Sequence, residues 1–143
     1  MIPAPVARAA NDHQQTITRI EMKITDIAFF AYAVSDIKKA RAFYEGSLGL
    51  KPNSEYDGSG NPNWVEYDIG SGTLGVGCAP GMWEPSTKGA SAALEVGNFD
   101  EALATVKAKS IPVVMGPHDF PSCRMVVIAD PDGNRITLHQ RKK

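Results

Sequence analysis

The chain has 143 residues, 43% of them hydrophobic and 22% charged, which suits one compact core and favours neither a disordered chain nor a membrane-embedded one. Its 15 basic and 16 acidic side chains are scattered, for a net charge of −1, so there is no basic stripe for phosphates and no nucleic-acid partner is expected. Cys78 and Cys123 form no CxxC pair and have no histidine spaced to complete a zinc site; they read as two small buried thiols in a reducing compartment, with a disulfide between them as the alternative.

The first 21 residues, rich in Ala, Pro and polar side chains, read as a flexible N-terminal arm ahead of Met22. They hold no continuous apolar run of the kind a signal peptide or membrane span needs, so a cytoplasmic protein is expected. Residues 23–35, KITDIAFFAYAVS, are rich in β-branched and aromatic residues and predict a strand ending at the helix-capping Asp36. In DIKKARAFYEGSLG that follows, Ile37, Ala40, Phe43 or Tyr44, and Leu48 share a face at helical spacing, and Gly49 marks the stop. Three strand candidates come next, LKPNSEYD, NWVEYDIG and TLGVGCA, divided by the turn-forming DGSGNPN and GSG.

Residues 80–88 read as a linker, and the pattern then repeats. SAALEVG is a strand, Asn98 caps the helix FDEALATVKAK with Glu101 three residues on, and IPVVMG, RMVVIA and NRITLHQ are strands, the last two joined in a hairpin by DPDGN. The segments Val34–Ala40 and Val96–Ala102 align at a shift of 96 − 34 = 62 positions, the mark of an internal duplication. The expected fold class is α+β: a single domain over 22–143 built of two βαβββ modules, 22–79 and 89–140. Their helix-free faces curve into one half-barrel around a cavity.

The stretch ITDIAFFAYAVSDIKKARAFYEGSLGLKP and the closing DPDGNRITLHQ resemble the vicinal oxygen chelate superfamily, which takes in glyoxalase I, extradiol dioxygenases and bleomycin-binding proteins. The resemblance covers roughly residues 22–140 and implies this glyoxalase-like fold. It also implies four metal-ligand positions, which fall here at Phe29, Gly75, Ser91 and Thr137. Phe29 and Gly75 have no ligating side chain and neutral hydroxyls are poor ligands alone, so no metal and no other cofactor is expected. A shifted metal or acid/base set of Glu66, Glu95 and His139 is the less favoured possibility, since two residues along a strand displace a side chain by about 6.6 Å.

Strand alternation places Ala31 and Ala33 with Phe29, Ala93 and Glu95 with Ser91, and His139 with Thr137, facing the cavity; Phe30, Tyr32, Val34, Leu94, Val96, Ile136 and Leu138 face the helices. Trp64 and Trp83 are candidate flat walls for a planar ligand, and Arg124 is a candidate partner for an anionic ligand or for Glu95. His118, in GPHDFPSCR, reads as an exposed loop residue. Nothing resembles a nucleophile motif or a phosphate loop.

The expected function is metal-independent binding of a small aromatic molecule, an antibiotic or metabolite, as in the bleomycin-resistance branch. Phe29, Trp64, Glu66, Gly75, Ser91, Glu95, Arg124, Thr137 and His139 would form the site, in a homodimer. The alternatives are a glyoxalase-like lyase, isomerase or dioxygenase with a non-standard site, and a subunit with a structural or regulatory role.

Overall fold

Two copies of one strand-and-helix pattern make up residues 22–143, the part of the chain that the computed structural model describes. The arm expected over 1–21 lies outside the described residues. The first copy holds β1 (Phe30–Ala33), helix α1 (Ile37–Arg41) running into a π-helical turn (Ala42–Ser47), β2 (Trp64–Ile69) and β3 (Gly72–Gly77). The second holds β4 (Ala92–Glu95), α2 (Phe99–Ala108), β5 (Val113–Asp119), β6 (Cys123–Ala129) and β7 (Arg135–Arg141).

The sheets repeat the same wiring. In each, the first strand of the module pairs in parallel with its last, giving orders β1-β3-β2 and β4-β7-β6-β5. The helix caps repeat too: Asp36 sits at φ −142°, ψ 109° and accepts from the Lys38 and Lys39 amides, while Asn98 sits at φ −144°, ψ 110° and accepts from the Glu101 amide. Each side chain satisfies donors that the first helical turn leaves free.

Four expectations are corrected. The strand expected over 23–35 narrows to Phe30–Ala33, preceded by exposed chain. The strand expected at LKPNSEYD shrinks to one bridge, Pro52 to Tyr67, at the place β5 occupies in the other sheet. Proline has no N–H for a ladder, and the Asn53, Asp57 and Asn61 side chains accept from amides two residues ahead, holding this segment in turns. His118 lies in a strand, not a loop: β5 runs through Gly116 and Pro117 to Asp119, with register shifts on both sides of Met115, the bulged edge on which proline is tolerated. The two cysteines are free but half-buried rather than buried.

The π-turn settles which of Phe43 and Tyr44 faces inward. The Leu48 amide reaches back five residues to the Phe43 carbonyl, and the widened turn buries both rings. With Tyr32, Tyr67, Phe99, Ile128, Ile136 and the buried valines, these rings form one core shared by the two modules, each large side chain contributing roughly 1.5–3 kcal/mol.

Hydrogen bonds fasten the seam between modules. The Tyr32 hydroxyl donates to the Arg135 carbonyl (2.6 Å) and accepts from the Ala92 amide (2.7 Å). The turn over 130–134 clasps the first module: Asn134 donates to the Ala33 carbonyl (2.8 Å), and buried Asp130 accepts from the Tyr44 hydroxyl (2.9 Å). Burial pushes Tyr44 and Tyr67 well above the ordinary tyrosine range, with the Asp130 and Glu45 carboxylates beside their hydroxyls adding to it. A group whose proton the fold retains adds stability that is whole below its unfolded pKa of about 10 and is lost as pH rises past it. Alkaline titration should therefore show Tyr44 and Tyr67 ionising only together with loss of the far-ultraviolet circular dichroism; tyrosinate absorbance from them in still-folded protein would contradict this.

Candidate functional site

Both helices pack on one side of the two sheets, leaving a helix-free face on the other, and strand alternation decides what stands there. On the first sheet the register aligns Ala31 with Gly75 and Glu66, and Ala33 with Gly77 and Trp64. The benzo ring of the Trp64 indole covers both glycines. A Cβ on Gly75 would meet indole carbons at 2.7 Å, and one on Gly77 would meet Trp64 at 2.7 Å and Trp83 at 3.0 Å. Glycine is needed at both positions because the indole fills the space that a side chain would take. The Trp64 Nε1–H donates to Glu66 (3.2 Å), fixing the ring's direction, and Phe29 meets it edge-on, centroids 5.5 Å apart. Phe29 and Trp83 both remain exposed, so the result is an open aromatic floor.

On the second sheet, Ala93, Thr137 and Val127 form one cross-strand row, and Glu95, His139, Met125 and His118 form the next. Ser91, just ahead of β4, bonds Thr137 through its hydroxyl (3.1 Å). Glu95 meets His139 Nδ1 at 2.6 Å with one oxygen and takes the Arg141 amide at 2.7 Å with the other. The Arg141 amide first and His139 second hold the Glu95 carboxyl below the usual carboxylate range.

Two recesses open along the seam between the sheets. A cleft of about 740 Å³ is lined by Phe30, Thr73 and Leu74 from one sheet and by Ala93, Glu95 and Arg141 from the other. A crevice of about 160 Å³ at the opposite end has Ala31, Ala33, Trp83, Glu84, Ser86 and Asn134 around it. A third, apolar recess of about 240 Å³ lies toward the helices, lined by Leu48, Leu50, Val96 and Val106, and shares Ile69, Leu94 and Glu95 with the larger cleft.

The residues expected in the site thus fall into two groups, Phe29, Trp64, Glu66 and Gly75 on the first sheet, and Ser91, Glu95, Thr137 and His139 on the second. Arg124 belongs to neither. It alternates with Val126 and Ile128 on the helix side of β6, its guanidinium 4.6 Å over the Phe99 ring and 3.1 Å from Asp100, so it neither pairs with Glu95 nor faces the cleft. Arg141 and Met125 were missed as members of the face; their alternation with His139 and Val127 was the signal for them.

The four positions that the resemblance assigns to metal ligands do not suit a metal. The indole occupies the space over Gly75, Phe29 presents a ring, and the Ser91 and Thr137 hydroxyls bond each other. Of the less favoured shifted set, Glu66 accepts from Trp64 on the first sheet, and Glu95 meets His139 on the second. Among the described residues, no three His, Cys, Asp or Glu side chains are grouped to hold an ion.

Residues 26–138 match the model of the Glyoxalase/Bleomycin resistance protein/Dioxygenase superfamily, and the chain belongs to that superfamily. A glyoxalase/dioxygenase from Nostoc punctiforme is similar in structure at a TM-score of 0.70 and 18% identity, over 87% of this chain and 99% of that one. A glyoxalase/bleomycin resistance protein/dioxygenase from Nocardioides is similar at 0.66 and 17%, over 94% of each. TnmS3, an antibiotic-binding protein from Streptomyces sp. CB03234, is similar at 0.65 and 26%, over 85% of this chain and all of that one. No curated protein matches in sequence. Among the described residues, no helix is long and apolar enough to cross a membrane.

Proposed function

We propose that the protein binds a planar aromatic small molecule, an antibiotic or metabolite, on the Trp64 floor and without a metal. One observation carries this reading: the indole covers Gly75, a position where the superfamily's chelating site would need a ligating side chain, and reaches on over Gly77. It leaves Phe29 and Trp83 exposed beside it. Aromatic rings gain roughly 0.5–1.5 kcal/mol from such pairing beyond the area they bury. The similarity to an antibiotic-binding protein supports the same reading.

Trp64 and Trp83 are the chain's two tryptophans, so intrinsic fluorescence reports on this floor. A planar aromatic ligand should quench tryptophan emission saturably and raise the melting temperature with concentration, because it binds the folded state alone. A panel of bicyclic and tricyclic aromatics that changes neither would sink the proposal.

The protein acts as a homodimer in this reading. Val113, Val114 and Met115 lie exposed on the unpaired edge strand β5, a surface that a second copy would cover. Light scattering should give twice the 15.4 kDa chain mass; the single mass would refute the dimer.

A further inference from the structure

We propose that the aromatic ligand carries a positive charge, held on the Trp64 indole and against the carboxylate of Glu66. The inference rests on the aromatic-binding reading and narrows the ligand to the class of aromatic cations.

The helix-free face of the first sheet is acidic. Besides the two glycines, the strand registers place Ala31, Ala33, Trp64, Glu66, Asp68 and Thr73 there, which makes two carboxylates and no basic side chain. Asp68 is occupied by the Asn53 side chain (2.6 Å) and the Thr73 hydroxyl (3.1 Å). Half-buried Glu66 spends only one oxygen, which takes the Trp64 Nε1–H at 3.2 Å. Its other oxygen has neither a hydrogen bond nor an ion pair among the described residues. Every buried side-chain oxygen and nitrogen among them has a partner, so this oxygen stands open beside the ring. Arg41, which reaches the loop ahead of β2, is taken up by Glu45 and the Asp57 carbonyl. Glu84, next to Trp83, has one oxygen on the Gly81 amide (2.6 Å) and lines the crevice with Ala31 and Ala33. It too has no ion pair among the described residues.

The aromatic rings add to this attraction. Phe29 and Trp64 stand with their planes 72° apart, and Trp83 reaches the indole's edge over Gly77. The face of an aromatic ring is negative, and indole attracts a cation most strongly. A flat ligand stacked on the indole lies roughly 3.5 Å above its plane, so a charge carried over the pyrrole end comes beside the Glu66 carboxylate. A neutral ring would use the floor alone, and an anionic ring would be repelled by Glu66 and Glu84. Glu66 thus holds the indole by its N–H and selects the sign of the charge that the floor accepts. No proton is transferred and no bond is broken.

The probes are 1-methylquinolinium and 4-methylquinoline, planar molecules of equal size that differ in charge. They are titrated by calorimetry in mildly alkaline, low-salt buffer, where the second is neutral. The natural protein should bind the cation roughly tenfold more tightly, and added salt should shrink that preference by screening the charges. Glu66→Gln keeps an acceptor for the Trp64 N–H and removes only the charge. It should leave the affinity for 4-methylquinoline unchanged and cut the preference about threefold. Should that variant fail to fold, the salt series on the natural protein decides, and a preference that salt does not move would overturn the proposal. So would a preference that persists undiminished in the glutamine variant. Equal affinity for the two probes, or tighter binding of the neutral one, would overturn the charge selection and leave the aromatic floor standing. Failure of both probes to bind would overturn the floor and the charge selection together.

Discussion

Gly75→Ala should drive the Trp64 indole off the sheet. Gly75 is not among the positive-φ glycines, so alanine meets no backbone strain there and the substitution tests space alone. Its methyl group would sit 2.7 Å from Cη2 and Cζ2 of the indole, well inside van der Waals contact. Those atoms are the far end of a half-buried side chain that can rotate away. The stability cost should then be near the low end of the overpacking range, about 1 kcal/mol. The effect on the site should be larger: the Glu66 hydrogen bond is lost, tryptophan emission shifts, and affinity for a planar ligand falls about three- to tenfold as the aromatic contact disappears. Gly60→Ala, with nothing within 4 Å of its Cβ, is the control. Unchanged emission and affinity in the Gly75 variant would show that the indole does not form the floor.

Asp130→Ala should produce the largest loss of stability. The carboxylate is 3% exposed and takes four hydrogen bonds: the Asp132 and Asn134 amides on one oxygen, and the Tyr44 hydroxyl and Asn134 side chain on the other. Its removal leaves three buried donors, the Tyr44 hydroxyl, the Asn134 amide and one Asn134 side-chain N–H, without this acceptor. At roughly 1–3 kcal/mol each, they cost about 3–9 kcal/mol, a large share of the roughly 5–15 kcal/mol a domain has. Tyr44→Phe removes only a donor and leaves Asp130 its other three, so it should cost about 1 kcal/mol. Urea midpoints compare the two at constant slope; equal losses would mean that Asp130 does not clasp the modules together.

The fold was largely legible in the sequence because its signals are local. Alternation between Phe29 and Val34, the cap at Asp36 and its counterpart at Asn98 each depend on neighbours within a few positions, and the shift of 62 tied the halves together. The errors arose where a distant element decides. Residues 50–57 have strand-like content, yet their own turns leave a single bridge to Tyr67. Gly116 and Pro117 read as loop because the sequence does not show that β5 is an edge strand, where a bulge tolerates both. Arg124 was misplaced although alternation with Val126 already put it on the helix side; its charge drew it toward an acidic partner that proved to be Asp100.

The site divides in the same way. That Phe29, Gly75, Ser91 and Thr137 stand at the ligand positions could be read by comparing motifs. Why Gly75 is glycine could not, because the indole above it comes from another strand. The Glu95 and His139 pair, 44 residues apart, depends on the register of β4 against β7, which no local pattern fixes. Residue type predicted an absent chelating side chain; only packing shows an aromatic surface in its place.

The most direct test of metal-independent binding is a tryptophan-emission titration of tag-free protein with a planar aromatic ligand, repeated on the same protein stripped by a chelator and verified free of Zn, Ni, Fe and Mn. The two curves should saturate at the same ligand concentration, since the floor of Trp64 over Gly75 and Gly77 contains no ligating group. Quenching that disappears on stripping and returns when one of those metals is restored would contradict the proposal.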